Sequence, residues 1–170
     1  MNTKIRIKST YGHKIDKEIT IKEQLFDDLD KKILRELLTD SRLSYRQIAA
    51  KLKVSAGTVI ARIKNLELGG IVKSYTTTLN QEKLGYGLTV ITEITVSKGK
   101  LLEMEKEVAK IPNVCAVYDT TGLTDAMIVA KFKNREDLSN FTKTLLAMPF
   151  IERTNTHVVL TTVKEDFRLI

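Results

Sequence analysis

The sequence predicts an α+β chain in two parts, a helical unit followed by an antiparallel sheet unit. Three observations carry that expectation. Residues 27 to 68 contain three helical apolar rhythms separated by short breaks. Residues 88 to 163 contain a strand-helix-strand pattern twice. The basic charge is also unevenly placed: the net charge is +7 over 170 residues, and almost all of it lies in the first half.

The first helix is read from DDLDKKILRELLTD, Asp27 to Asp40. Leu29, Ile33 and Leu37 recur every four residues with Leu34 and Leu38 beside them, which makes one apolar stripe. Asp27, Asp28 and Asp30 stand at its start, where negative charge suits the helix dipole. The second helix is SYRQIAAKLK, with Ser44 placed to cap it and Gln47 at the capping-box position. Val54-Ser55 breaks the rhythm, and Ser55 can cap a third helix, AGTVIARIKNLELGG. Val59, Ile63 and Leu66 give that helix one buried face, and Gly69-Gly70 stops it. IVKSYTTTLN follows and, rich in β-branched residues, predicts a strand.

Two short helices joined by a tight break and braced by a third form a helix-turn-helix; the strand after it predicts the winged variety. In such a unit the second helix of the pair enters the major groove of DNA. The outward positions expected here are Gly57, Thr58, Ile60, Ala61, Arg62, Lys64 and Asn65. Arg62 and Lys64 can bind phosphate or guanine edges, and Asn65 phosphate or adenine. Gly57 and Ala61 allow close approach. Ser44, Tyr45 and Arg46 open the preceding helix, and its N–H groups can hold a phosphate; Ser55 completes the expected contact set. Residues 44–73 carry +5, with six Lys or Arg against one Glu, whereas 74–133 and 134–170 are each neutral. That asymmetry suits a polyanion touched by one half. A solubilising charged face, or a module docking to protein, is the alternative.

In the second half, Leu101, Met104, Val108, Ile111 and Pro112 match Leu138, Phe141, Leu145, Met148 and Pro149 at a shift of 37 residues. Each copy reads as a helix stopped by Pro. Strands are expected at Leu88 to Val96, VCAVYDTT, Ala126 to Phe132 and IERTNTHVVLTTV. The order βαββαβ is the ferredoxin-like split unit, with four antiparallel strands and both helices on one face. Ala126 to Ala130 are apolar without alternation, so this strand should be buried on both faces. The cheapest cover for the second face is another copy of the same sheet, which predicts a symmetric dimer.

DTTGLTDA, Asp119 to Ala126, forms the connection between the middle strands. Its carboxylates could hold an ammonium and its hydroxyls and loop N–H groups a carboxylate, an inventory that suits a free amino acid. A polar turn satisfied by its own hydrogen bonds is the alternative, and on chemistry alone the favoured one.

Other functions find no support. The two His residues lack metal-ligand spacing, no phosphate loop or nucleophile elbow occurs, and the lone Cys115 is expected in the core. No enzyme activity and no cofactor or metal are expected. No apolar run suits a membrane span and no secretory signal is present, so a cytoplasmic, membrane-independent protein is expected. The sheet unit lacks the aromatics an RNA-binding sheet would stack on bases.

The residues 27–85, with the series VS…TV..RI..L...GIV..Y, resemble the N-terminal half of the Lrp/AsnC (feast/famine) transcriptional regulators. VYDTTGLTDAMI is similar to the hairpin of that family's effector (RAM, ACT-like) domain. The resemblance spans roughly residues 25 to 165. It implies an extension at 1–24, a winged helix-turn-helix at 25–78, a linker at 79–87 and an effector-binding and oligomerisation domain at 88–170. It further implies a sequence-specific regulator of double-stranded DNA, a homodimer joining into octamers or larger particles. An amino acid effector would lie between dimers at Tyr118, Thr120, Thr121, Gly122, Leu123, Thr124 and Asp125, with Thr154 and Thr156 opposite. An amino-acid-sensing subunit acting through protein contacts is the alternative. Residues 1–24 can be read as a small hairpin or a basic arm.

Overall fold

The computed structural model of the chain describes residues 27–170; the extension at 1–24 lies outside them. The chain divides between Thr76 and Thr77 into two compact units.

The first unit is built on three helices, α1 (Asp28–Thr39), α2 (Tyr45–Leu52) and α3 (Ala56–Leu68). Each starts at a residue suited to capping. The Asp27 side chain accepts from the N–H groups of Leu29 and Asp30, and Asp30 returns the bond to the Asp27 N–H. Ser44 and Gln47 form the same reciprocal box on α2. Ser55 accepts from Thr58 N–H on α3. The turn between α2 and α3 is Lys53, Val54 and Ser55, with Lys53 in the left-handed region at φ 55°. The end of α3 is a Schellman closure. Gly70, at φ 71°, donates to Glu67 O at 3.0 Å, and Ile71 donates to Leu66 O at 2.9 Å. Ile33, Ile48, Ala49, Val59 and Ile63 make the core of this unit.

The expected wing strand is not formed among the described residues: 71–80 pair with no neighbouring strand. β-branched composition favours an extended backbone, but a strand exists only where a second strand completes its hydrogen bonds. Tyr75 instead donates its hydroxyl to Glu67 at 2.8 Å. Partial burial foremost, and then that bond, push its phenol up to about 12. A single 3-10 turn, Glu82–Leu84, closes on Gly85 at φ 91° before the sheet begins.

The second unit runs β1 (Leu88–Val96), α4 (Leu101–Val108), β2 (Val114–Asp119), β3 (Ala126–Phe132), α5 (Arg135–Leu146) and β4 (Ile151–Val158). The sheet order is β2-β3-β1-β4 and every pairing is antiparallel. Val90, Ile94, Ile128, Ala130 and Phe132 meet Met104, Val108, Phe141 and Leu145 in one core, so both helices cover the same face. The Phe132 and Phe141 rings pack at 5.1 Å between centroids.

Within the single chain β3 is buried on its helix-covered face. Ala126, Ile128, Ala130 and Phe132 are buried, while Met127, Val129 and Lys131 are half-buried. The bare face continues through the register pairs Ala116–Val129–Ile91–His157 and Tyr118–Met127–Glu93–Asn155. β2 and β4 stop earlier than composition suggested. β2 ends at Asp119 opposite Ala126, where β3 begins. Beyond β4 the last ladder bond is Val159 N–H to Thr89 O, because β1 supplies no further partner. Cys115 is exposed, not core: the register slips between Val114 and Ala116, and this bulge removes it from the alternation. Desolvation foremost pushes its thiol up, which keeps it protonated and poorly nucleophilic.

Candidate functional site

Two surfaces gather the residues singled out by sequence. On α3, Val59, Ile63 and Leu66 turn inward and are buried. Gly57, Ile60, Ala61, Lys64 and Asn65 are exposed on the other side, and Thr58 is half-buried. The hydroxyls of Ser44 and Ser55 are engaged in capping, at 3.3 Å to Gln47 N–H and 3.0 Å to Thr58 N–H. Both therefore set the helix starts, and Tyr45 and Arg46 stand exposed on the first turn of α2. Arg46, Lys53 and Lys64 have no ion-pair partner among the described residues.

Arg62 departs from the expected reading set. Its Nη1 lies 2.7 Å from Asp27 Oδ2 and 3.0 Å from Asp30 Oδ2, with the Asp30 side chain almost fully covered. Position 62 sits on the flank of α3 that meets α1, and the acidic start of α1 captures the guanidinium. The Asp27 carboxyl is held below its ordinary value, first by the Asp30 N–H and further by Arg62. Arg62 is thus a brace between α1 and α3. No sequence rhythm could show it, because the partners lie 32 residues apart.

Gly57 is informative by contrast. A Cβ built there meets only Ser55 Oγ, at 3.7 Å, which is ordinary contact, and its φ lies outside the positive range. Nothing among the described residues requires glycine at this position, although Gly in a helix costs up to about 1 kcal/mol against Ala.

The second surface is the β2–β3 connection. Gly122 takes φ 123°, a conformation that disfavours any side chain. Asp125 ties the hairpin to β1: its Oδ2 accepts from Val96 N–H at 2.9 Å and its N–H donates to Ile94 O at 2.9 Å. Thr120 donates its N–H to Asp125 O at 3.1 Å and its hydroxyl to Thr124 O at 3.1 Å. Thr121 and Leu123 are exposed at the tip, and Leu123 is fully so. Tyr118 belongs to the bare face of the sheet. Thr154 lies in the row Asp119–Ala126–Ile94–Thr154 on the helix-covered side. Thr156 shares that side, its hydroxyl 3.1 Å from that of buried Thr92. The nine residues therefore divide between the two sides of the sheet. Thr120, Gly122, Thr124, Asp125 and Thr154 gather near one end of it, while Tyr118 and Thr156 are turned to opposite faces.

Sequence reasoning passed over a polar cluster on the bare face. Asn155 Nδ2 lies 3.2 Å from Glu93 Oε2 and 3.1 Å from His157 Nε2, and His157 lies 3.6 Å from Glu93 Oε1. Period-2 spacing of Asn155 and His157 was the available signal, once β4 was placed beside β1. Among the described residues no group of three or more His, Cys, Asp or Glu could hold a metal ion. No described helix is long and apolar enough to cross a membrane.

Comparison with known proteins decides the family. Residues 26–67 match the AsnC-type helix-turn-helix domain, and residues 89–169 match the Lrp/AsnC ligand binding domain. The chain belongs to the Lrp/AsnC family. It is 50% identical over 145 residues to an uncharacterised HTH-type transcriptional regulator of Pyrococcus abyssi, covering 85% of this chain and 99% of that one. The HTH-type transcriptional regulator FL11 of Pyrococcus horikoshii is 34% identical, covering 84% of this chain and 95% of the relative. A transcriptional regulator of Neisseria meningitidis solved in complex with L-methionine superposes with a TM-score of 0.79 at 28% identity, over 85% of this chain and 96% of that one. This Lrp/AsnC chain is accordingly a transcriptional regulator with a helix-turn-helix DNA-binding domain and a ligand-binding domain.

Proposed function

We propose that the protein is a sequence-specific regulator that binds duplex DNA as a dimer, assembles further, and responds to a free amino acid. Gly57 is the observation that carries the reading. It leaves the first turns of α3 without a side chain where the fold has no need of that. A helix that must lie close to a base edge does have that need. The flanking cations Arg46, Lys53 and Lys64 complement phosphate, and the contact set offered is Ser44, Tyr45, Arg46, Ser55, Gly57, Thr58, Ala61, Lys64 and Asn65.

Dimerisation is supported by the bare sheet face of Ile91, Val129, Met127, Ala116 and Tyr118, whose apolar surface favours burial against a second copy. Two reader helices would then address half-sites roughly 34–36 Å apart. The β2–β3 hairpin supports the effector reading, since Leu123 stands open until another subunit covers it. The L-methionine carried by the Neisseria relative makes that amino acid the first to try.

The test uses full-length protein, a pool of randomised duplexes, and each common amino acid in turn. Duplex affinity should fall steeply with salt, and at least one amino acid should change particle mass in sedimentation. Retention indifferent to salt would remove the DNA contact; a particle mass unmoved by every amino acid would remove the effector.

A further inference from the structure

On the open side of α3, the N-terminal half carries one large aliphatic side chain, Ile60, which is 47% exposed. We infer that Ile60 reads sequence by packing on the 5-methyl group of a thymine in the major groove. The inference rests on the reading of α3 as the groove-entering helix.

Helical spacing places Gly57, Ile60, Ala61 and Lys64 on one side of α3. Gly57 and Ala61 flank Ile60 with at most a methyl group, so its branched end projects between them. Lys64 follows on the same side one turn later, and Arg46 and Lys53, like Lys64, are exposed with no ion-pair partner among the described residues. A protein-docking surface would set apolar groups together; here the helical neighbours of the one aliphatic side chain are Gly57, Ala61 and the cation Lys64.

The base edges of the major groove present nitrogen and oxygen donors and acceptors, and one apolar group, the thymine methyl. Isoleucine has neither donor nor acceptor in its side chain. Pressed against guanine, adenine or cytosine, it would strip water from polar atoms without replacing the lost bonds. Only above a thymine methyl does its burial become favourable. Leu68 is 77% exposed but sits eight residues later, about 12 Å along the axis. Reading helices address bases from their N-terminal residues, which selects Ile60 over Leu68.

The experiment begins with duplexes enriched from a randomised pool by the full-length protein. Each thymine of the enriched duplex is then replaced singly by uracil, which removes the methyl and changes nothing else. At one thymine in each half-site, uracil should weaken wild-type binding by roughly fourfold, the effect expected of one buried carbon. Ile60→Ala should bind the thymine and uracil duplexes equally, with an unchanged melting midpoint, while Ile60→Val should retain the discrimination. A wild-type protein that still selects a sequence yet ignores uracil at every position overturns the inference and leaves the DNA reading standing. Ile60→Ala with undiminished uracil sensitivity also overturns it, by assigning the contact to another residue. Enrichment of no sequence at all overturns both readings together.

Discussion

The helical unit and the sheet unit are unfinished in opposite ways. The first closes five residues into a core and leaves a face of small, polar and cationic side chains. The second closes eleven residues and leaves a sheet face with an apolar patch of Tyr118, Met127, Val129 and Ile91. A charged surface can stay in water at no cost, and it waits for a polyanion. An apolar surface cannot, and its simplest remedy is an identical surface. The chemistry of what each unit leaves exposed therefore separates two kinds of partner within one chain.

The largest effect should come from breaking the apolar side of this contrast. Met127→Glu places a charge at the centre of the bare face, where burial without a partner charge costs about 3 kcal/mol or more. Sedimentation should show the dimer weakened by at least about a hundredfold, with the monomer still folded by circular dichroism. A particle of unchanged mass would mean that the face is covered by something else.

The charged side can be sharpened by separating two neighbouring cations. Lys64→Ala should reduce the slope of duplex affinity against salt by about one while leaving the melting midpoint unchanged. Arg62→Ala should do the reverse, lowering the melting midpoint through loss of the Asp27 and Asp30 brace and leaving the slope alone. A slope altered by Arg62→Ala with normal melting would return that guanidinium to the DNA surface.

The smallest effect concerns the hairpin. A Cβ added at Gly122 meets nothing within 4 Å, so the main cost of Gly122→Val is backbone conformation, about 1–2 kcal/mol. A matching drop in stability should accompany a weakened response of particle mass to the effector. A lowered melting midpoint with an intact response would confine Gly122 to turn geometry.

How much of this could be read in advance follows the range of the forces involved. The bounds Leu88–Val96 and Ala126–Phe132 were read to the residue, because apolar composition and flanking turns are local signals. The caps Ser44 and Ser55 were equally readable, since each lies within three residues of its partner. The lengths of β2 and β4, the bulge that exposes Cys115, and the absent wing strand depend on which strand lies alongside. The turn of Arg62 toward α1 depends on carboxylates far away in the chain. On the candidate surfaces, the exposed side of α3 followed from helical period. The split of Tyr118 and Thr156 between opposite sides of the sheet required the register.

The rows that cross the bare face are not uniform from end to end. They run from Tyr118 and Met127 on one flank to Glu93, Asn155 and His157 on the other. Such a gradient acts as a compass for anything laid upon it: a twin sheet finds oil against oil in only one azimuth, and a quarter-turn strands the Glu93–His157 cluster on grease. In the proposed dimer, orientation would thereby be written into the strand register.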